Sequence, residues 1–388
     1  MHGLYVHVPF CLRKCHYCSF VSLTSDPGTR DRWLEALVSE VRTILPENLG
    51  ITTLYAGGGT PTLLPPLRWR TFMEALRGRV DLSGLEESTI EVNPATCTAG
   101  DLAGLRETGF DRMSVGVQSF GRRELALLGR IHTVEQAERV LEDAACAGFD
   151  SISIDLIYGI PGQTEEDWQQ SLDRALDHAP GHLSVYDLTL DGNTPMAAAG
   201  PRKPADDFCA GLYHQAHLVL TGAGYEHYEV SSYALGGSRR SKHNCGYWNR
   251  SPYSGLGPSA HSFDGEALRW WNTPDLDLYL RQLEGGGSPV EERETLTREQ
   301  QADEMLMLGM RWAGGFDTAD LENLGCRLGA RGEDLIARLS AEGHAEVEGT
   351  RVVPTVTGML LADGIAAGLS SCLSFEPAAR LRGTGASC

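Results

Sequence analysis

Three cysteines near the start of the chain have a spacing that suits an iron–sulfur cluster. Cys11, Cys15 and Cys18 form a CxxxCxxC pattern that follows an apolar, β-branched run. Three thiolates can ligate three irons of a 4Fe-4S cluster and leave the fourth iron open to another ligand. The same spacing also fits a structural zinc site with a distant fourth ligand, or three small core residues, so the assignment depends on the rest of the chain.

A glycine run and several polar residues form the second set of candidates. Gly58 and Gly59, followed by Thr60, lack the side chains that would keep a ligand away from the backbone N–H groups. Taken singly, such residues are more often tight turns, helix caps or solvated loop residues. Four polar residues lie at or near the ends of predicted strands, namely Glu91, Gln118, Arg130 and Asp155.

The elements that must position these residues alternate between strands and helices. Apolar periodicity predicts strands at 4–9, 52–56, 89–92, 112–117, 151–156 and 182–188. It predicts helices at 31–45, 67–77, 99–108, 135–147, 164–176 and 205–221. Six βα units in series imply a parallel sheet with right-handed crossovers. Because eight units close a full barrel, we predict an open, partial (β/α)6 barrel of the α/β class, with its site at the carboxyl ends of the strands.

The rest of the chain predicts an extension of the barrel and a second, smaller domain. Residues 222–265 lack clean periodicity and are too long for a plain connection, and the glycine run at 285–287 marks a linker. Helices at 298–312, 317–324 and 334–342, then a hairpin at 345–353 and a last helix at 358–367, indicate a winged-helix-like α+β domain. We therefore predict a barrel at 1–225, its extension at 226–289, the C-terminal domain at 290–375 and a flexible tail at 376–388.

Composition excludes several classes of function. The net charge of −19 argues against nucleic-acid binding, and residues 290–351 carry 14 Asp and Glu against seven Arg and no Lys. A docking or lid role suits this second domain better than DNA binding. No signal-peptide pattern and no long apolar run are present, and ten cysteines in such a chain indicate reduced thiols. We expect a cytoplasmic protein without a membrane segment.

Taken together, these motifs resemble the radical S-adenosylmethionine (SAM) proteins, and within them the coproporphyrinogen dehydrogenase and haem chaperone HemW group. The resemblance extends over most of the chain and implies that the three cysteines hold a 4Fe-4S cluster. It implies that Gly58, Gly59 and Thr60 receive the methionine end of SAM, and that Glu91, Gln118, Arg130 and Asp155 contact the same molecule. By this resemblance Arg130 pairs with the SAM carboxylate, Asp155 binds the ribose hydroxyls, and Tyr5 and Tyr17 flank SAM and the cluster.

Three features separate the branches of this group. Phe20 replaces the fourth cysteine of the dehydrogenase loop, and ten residues precede Cys11 where the dehydrogenase has a long extension. The stretch 243–248, HNCGYW, fits the HNxxYW motif of the haem chaperone branch, whose histidine is implicated in haem ligation. The resemblance thus implies a chaperone that binds a cluster, SAM and haem and delivers haem to an acceptor protein. It implies His243 as the haem ligand, beside Tyr247 and Trp248, with Cys245 as the alternative ligand.

Two alternative functions remain open at this point. One is an oxygen-independent coproporphyrinogen III dehydrogenase that decarboxylates propionates by radical chemistry. The other is a radical SAM methylase or cyclopropanase. The sequence does not identify the acceptor or show whether SAM is cleaved, and we expect contact with any membrane-bound acceptor to be peripheral.

Overall fold

The computed structural model describes residues 1–200 and 202–375, and the tail predicted at 376–388 lies outside them. The chain divides into two compact units. The first contains Met1–Glu226 and Ser231–Glu294, and the second contains His227–Val230 and the chain from Thr295 onward. The finer division predicted from the sequence, with its boundaries at 225 and 289, stays a prediction.

The elements follow one another as the periodicity predicts for the first half of the chain. The strands are β1 Gly3–Val8, β2 Thr53–Gly58, β3 Glu87–Val92, β4 Arg112–Gln118, β5 Ser151–Tyr158, β6 His182–Asp187, β7 Glu226–Glu229, β8 Ser232–Ala234, β9 Tyr253–Leu256, β10 His261–Phe263, β11 Leu268–Asn272, β12 Val290–Thr295, β13 Phe316–Asp317, β14 Cys326–Arg327, β15 Ala345–Glu348, β16 Arg351–Pro354 and β17 Ser374–Phe375. The helices are α1 Pro27–Ile44, α2 Pro66–Arg77, α3 Ala99–Thr108, α4 Arg122–Leu128, α5 Val134–Ala147, α6 Glu165–Asp177, α7 Pro195–Ala199, α8 Asp206–Gly222, α9 Lys242–Trp248, α10 Leu276–Glu284, α11 Arg298–Gly309, α12 Thr318–Asn323, α13 Gly329–Ala341, α14 Val356–Leu360 and α15 Ala362–Ser370.

The first unit is an open barrel built on six parallel strands. Strands β1 to β6 pair in chain order, and each is parallel to the next. Strand β9 pairs in parallel with the outer edge of β1, and β8 pairs antiparallel with β6, so the six strands do not close on themselves. The predicted partial (β/α)6 barrel is confirmed.

The two faces of this sheet differ in polarity because side chains alternate along a strand. The outward residues of β1, Leu4, Val6 and Val8, are fully buried under helices that contribute apolar faces. The inward residues of neighbouring strands are largely polar: Thr53, Glu87, Ser114, Asp155 and His182. The apolar core therefore lies between sheet and helices, whereas the inside of the barrel offers polar groups to a ligand.

Three helices of the first unit, α3, α5 and α6, begin at a threonine cap. Thr98, Thr133 and Thr164 each accept a backbone N–H from the residue three positions later, whose side chain accepts a bond in return. Such a capping box satisfies donors that the first helical turn leaves unpaired. These caps fix the points at which α3, α5 and α6 begin.

The second unit has the predicted winged-helix-like organisation. Helices α11, α12 and α13 precede the antiparallel hairpin of β15 and β16, and β13 pairs with β16. Their apolar faces meet in one core that includes Leu306, Phe316 and Leu369. The structure differs from the prediction at two places: α13 begins at Gly329, and the single helix expected at 358–367 is the pair α14 and α15. Among the described helices, none has the length and apolar character needed to cross a bilayer.

Candidate functional site

A cavity of about 410 Å³ lies at the carboxyl ends of the parallel strands. Of the residues predicted to bind the cluster or SAM, all but Tyr5 line it: Cys11, Cys15, Tyr17, Cys18, Gly58, Gly59, Thr60, Glu91, Gln118, Arg130 and Asp155. These residues come from five strand ends and from the segment after α4. The fold thus brings together groups that are far apart in sequence.

The cysteine loop is held in place by hydrogen bonds at both ends. Cys11 N–H donates to the carbonyl of Leu23 over 2.9 Å, and His16 N–H donates to the carbonyl of Leu128 over 3.0 Å. The three thiols are half-buried and face the cavity. Within the described part of the chain, no three His, Cys, Asp or Glu side chains converge as the ligands of a single metal ion would. In a 4Fe-4S cluster each thiolate binds a different iron, so the ligands need not converge on one point.

Two donors point at the cysteine sulfurs. The hydroxyl of Thr60 lies 3.6 Å from Cys11 Sγ, and Nη1 of Arg130 lies 3.4 Å from Cys15 Sγ. Burial raises the pKa of Cys18, and the neighbouring thiols of Cys15 and Cys11 add to the effect. A metal deprotonates such thiols when it binds, and hydrogen bonds to the sulfurs then stabilise the anionic cluster. This donor set fits a 4Fe-4S cluster.

The glycine run passes where no side chain fits. A Cβ on Gly59 would lie 2.5 Å from the carbonyl oxygen of Phe10, and a Cβ on Gly58 would lie 2.5 Å from Nδ1 of His7. Gly58 also has a φ of 105°, which side chains disfavour. Its N–H donates to Glu91 Oε2 over 3.0 Å. The run therefore packs against β1 and orients the carboxylate of Glu91.

Glu91 is a carboxylate that lacks a cationic partner among the described residues. It accepts bonds from Gly58 N–H and, over 2.9 Å, from the hydroxyl of Tyr55. Burial, with a smaller effect from Asp155, raises the pKa of Glu91 to about 7. A ligand ammonium group would offset this cost of burial, because an opposite charge favours the ionised carboxylate.

Arg130 is a cation that lacks a carboxylate partner among the described residues. Its Nη2 donates to the carbonyl of Gly116 over 2.7 Å, while Nε is buried with no hydrogen-bond partner among the described residues. No carboxylate of the described chain forms an ion pair with it. A guanidinium enclosed in this way is costly unless it is paired. The carboxylate of an amino-acid ligand suits this position.

Asp155 and Gln118 are two further polar residues that line the cavity. Asp155 accepts from the hydroxyl of Ser114 over 2.9 Å, and burial raises the pKa of its carboxyl group. Gln118 has a φ of 68° at an irregularity where the register of β4 shifts between Val115 and Gln118. A bulge of this kind redirects a side chain at the end of a strand, and strained backbone is common at functional sites. Both residues face the cavity.

Sequence reasoning missed several residues of this site. Tyr55, Ser114 and Tyr186 line the cavity, as do Asn93 and Asp187. The signal for Tyr55 and Ser114 was available in the alternation along β2 and β4, which places them on the inward face beside Gly57 and Gly116. Tyr5, by contrast, does not line the cavity: its hydroxyl lies 3.0 Å from His7 Nδ1, and its ring stacks on Tyr55 with the centroids 6.2 Å apart.

His243 lies at the opposite end of the barrel. The motif 243–248 belongs to the stretch 222–265, in which the sequence shows no clean periodicity, yet it lies in helix α9. His243 Nδ1 lies 2.9 Å from the hydroxyl of Thr53, the first residue of β2, and Nε2 lies 2.8 Å from the hydroxyl of Tyr247. The residue is 3% exposed, and burial lowers its pKa to about 3. Both ring nitrogens are thus engaged, so iron ligation would require at least one of these hydrogen bonds to break, and ligation by His243 stays a prediction.

The fold and the site define a radical SAM protein, and comparison with known proteins agrees. The sequence model of the Radical SAM superfamily matches residues 5–175. The solved structure of coproporphyrinogen III oxidase (HemN) from Escherichia coli, described as a radical SAM enzyme, superposes with a TM-score of 0.81 and 26% identity, over 95% of this chain and 90% of that one. Membership of this class implies a 4Fe-4S cluster and SAM.

More similar sequences narrow the class to one family. The protein named "Heme chaperone HemW" from Mycobacterium tuberculosis is 35% identical over 372 residues, which cover 94% of this chain and 93% of the relative. The protein of the same name from Escherichia coli is 36% identical over 278 residues, 70% of this chain and 73% of the relative. The chain belongs to the haem chaperone HemW family.

Proposed function

We propose that this protein holds a 4Fe-4S cluster and SAM in the barrel cavity, binds haem, and delivers the haem to an acceptor protein. The observation that supports the first part most strongly is the meeting of three thiols in one cavity with a carboxylate and a guanidinium that form no ion pair among the described residues. The names of the relatives support the second part. When bound, a reduced cluster can supply the electron that cleaves SAM.

The residues of the chain have separate roles in this proposal. Cys11, Cys15 and Cys18 bind three irons and leave one iron for the amino and carboxylate groups of SAM. Glu91 accepts a hydrogen bond from the amino group of SAM, and Arg130 pairs with its carboxylate. Opposite charges at these two positions orient the amino-acid end of the ligand in one direction.

The ribose end of SAM meets the other side of the cavity. Asp155 would accept from the ribose hydroxyls, and its own carboxylate is held by Ser114 and Ser153. Gln118, whose backbone is fixed at the irregularity in β4, adds an amide to the same wall. These groups bind and orient the ligand.

In this proposal the acceptor of the haem is a protein. The formal charge of −19 makes a nucleic acid an improbable partner. If the acceptor resides in a membrane, we propose that contact with it is peripheral.

The alternative function is an oxygen-independent coproporphyrinogen III dehydrogenase. The similarity to the HemN structure over 95% of the chain favours it. At the rim of the cavity, however, Phe20 stands where the dehydrogenase loop has a fourth cysteine, and its side chain is 64% exposed. The chain therefore offers an apolar ring at a place where the enzyme offers a thiol.

One experiment separates the two functions. The purified chain, reconstituted anaerobically with iron and sulfide, is titrated with haem and, in parallel, incubated with SAM, a reductant and coproporphyrinogen III. We expect saturable haem binding and no formation of protoporphyrinogen IX. Conversion of coproporphyrinogen III would establish the dehydrogenase instead, and a chain that neither binds haem nor converts the porphyrinogen would contradict both functions.

A further inference from the structure

Residues 129–132 form a connecting segment between α4 and α5 that touches both halves of the proposed site. On one side, Nη2 of Arg13, in the cysteine loop, donates to the carbonyl of Gly129 over 2.9 Å. On the other side, the connecting segment contacts the end of β4, the strand that carries Gln118. It therefore lies between the loop assigned to the cluster and a strand end assigned to SAM.

The end of β4 is irregular on both of its edges. Strand β4 pairs with β3 as far as Val115, and its register with β5 breaks after Val115 and resumes at Gln118. Between these points, Gly116 and Val117 have no partner residue in the described register of either neighbouring strand. A bulge of this kind interrupts the hydrogen bonds of the sheet. A buried carbonyl at such a place needs a donor from elsewhere in the chain.

Two side chains of the connecting segment donate to these carbonyls. Nη2 of Arg130 donates to the carbonyl of Gly116 over 2.7 Å, and Nε2 of His132 lies 3.1 Å from the carbonyl oxygen of Val117. A carbonyl can only accept a hydrogen bond, so Nε2 of His132 carries the proton. Val117 is fully buried and His132 is 3% exposed. His132 thus supplies the donor for a carbonyl in the interior.

The imidazole of His132 is fixed in its neutral form. Its Nδ1 is buried and has no hydrogen-bond partner among the described residues. Burial, and then the charge of Arg130, lowers the pKa of His132 to about 3. The ring therefore stays neutral near pH 7 and keeps its proton on Nε2. Such a group serves as a constant hydrogen-bond donor, because it does not exchange protons in this range.

The irregularity in β4 decides where the amide of Gln118 lies. Gln118 has the left-handed φ of 68° described above. A Cβ on Gly116 would lie 2.9 Å from Nε2 of Gln118 and 3.4 Å from Nη2 of Arg130. The amide and the guanidinium therefore meet over a residue without a side chain, and both face the cavity. A change in the backbone at Val117 would displace this amide.

We propose that His132 is a positioning residue for SAM: it holds the carbonyl of Val117 and thereby keeps the amide of Gln118 at the cavity. His132 itself is not among the described residues that line the cavity, so it acts through Gln118 and not by touching the ligand. This inference rests on the proposed function in that it assumes SAM binds in this cavity. It adds a residue outside the cavity to those that determine the affinity for SAM.

The test compares two replacements of His132 in the full, anaerobically reconstituted chain. His132→Leu fills the site without a donor and leaves the Val117 carbonyl unsatisfied, so the dissociation constant for SAM should rise by about tenfold. His132→Gln places an amide N–H near the position of the imidazole Nε2 and should bind SAM within about threefold of the unaltered chain. Calorimetry measures the affinity, and iron content shows that the cluster is present.

A matched control removes a similar hydrogen bond away from the cavity. Nε1 of Trp168, a fully buried residue, donates to the carbonyl of Leu212 over 3.0 Å, and neither residue lines the cavity. Trp168→Phe should destabilise the chain in urea much as His132→Leu does, yet keep the affinity for SAM within about twofold. His132→Phe, which also lacks a donor, replaces His132→Leu if circular dichroism shows that His132→Leu is unfolded.

A double variant tests whether the effect passes through Gln118. In Gln118→Ala the amide is already absent, so adding His132→Leu should weaken SAM binding by less than about threefold further. A merely structural role of His132 would give the same tenfold loss in both backgrounds. The non-additivity of the two substitutions is therefore the result that a general loss of stability would not produce.

The outcomes separate this inference from the proposed function. If the reconstituted, unaltered chain does not bind SAM, the proposed function fails and the inference fails with it. If that chain binds SAM and the donor-free variant of His132 keeps its affinity within about twofold, the inference alone fails. Equal losses of affinity in this variant and in Trp168→Phe, or a full loss in the Gln118→Ala background, would also overturn it.

Discussion

At the scale of single residues, each of the three loop cysteines should be required for the cluster. Cys11→Ala, Cys15→Ala and Cys18→Ala should each lose most of the bound iron and sulfide after anaerobic reconstitution, because three thiolates are the smallest set that fits the proposed site. The exposed Cys146 provides the control, since Cys146→Ala should retain the full content. Retention of an intact cluster in any of the three loop variants would contradict the assignment.

The charged residues of the cavity should control SAM affinity. Arg130→Gln and Asp155→Asn are each expected to weaken SAM binding by about 1.5–3 kcal/mol, the usual loss for a hydrogen bond to a charged group. Equilibrium binding by calorimetry, with iron content measured alongside, separates this effect from cluster loss. Arg106, which pairs with Asp150, is the control arginine. Unchanged affinity in both cavity variants would remove these residues from the site.

Glu91 should make SAM binding depend on pH. Because burial raises the pKa of Glu91 to about 7, the carboxyl group of the free protein gains a proton as the pH falls below that value. The amino group of SAM donates a hydrogen bond to the ionised carboxylate of Glu91, so the affinity for SAM should fall by up to about tenfold between pH 7.5 and pH 6.0. Glu91→Gln should bind SAM weakly at both pH values. If this variant showed the same pH dependence as the unaltered chain, a group other than Glu91 would cause that dependence.

At the scale of elements, one buried carboxylate joins three segments of the first unit. Glu40 of α1 is fully buried and accepts from Asn272 Nδ2 over 2.6 Å, from the hydroxyl of Tyr279 over 2.6 Å and from Gly257 N–H over 2.9 Å. These partners lie at the end of β11, on α10 and just after β9. The carboxylate therefore fixes the additional strands against α1.

Replacing this carboxylate should destabilise the fold. In Glu40→Gln the new amide N–H₂ must face at least one group that already donates, so we expect a loss of about 1–3 kcal/mol in the free energy of unfolding. Urea denaturation measures it. Glu35→Gln, an exposed site on the same helix, should change stability by less than about 0.5 kcal/mol. Equal stability of the two variants would show that the Glu40 network contributes little.

At the scale of the whole molecule, the sequence was sufficient to predict the structural features that depend on a local pattern of residues. The six parallel strands and the cysteine loop follow from apolar periodicity and from spacing, and the strand ends then had to meet at one edge of the sheet. Features that depend on distant pairing could not be predicted. Glu40 meets partners more than 200 positions away, and the φ of 68° at Gln118 results from a shift in strand register.

The position of His243 could not be predicted either, because it too depends on contacts between residues far apart in the sequence. Its motif reads as an irregular polar stretch, yet Thr53, 190 positions earlier, and Tyr247 in α9 hold the ring inside the barrel. Nothing in the local pattern indicates that the helix covers the amino ends of the strands. The burial of His243 follows from the packing of these segments.

The contact between Tyr55 and His243 links the two ends of the barrel. Tyr55 donates to Glu91 at the carboxyl ends of the strands, and its ring stacks on that of His243 with centroids 5.2 Å apart. Any partner that displaces α9 therefore withdraws support from the carboxylate assigned to SAM. Linked equilibria are reciprocal, so the factor by which this displacement weakens SAM binding is also the factor by which bound SAM opposes the displacement. A cell's supply of SAM would thus set how readily this helix leaves its place.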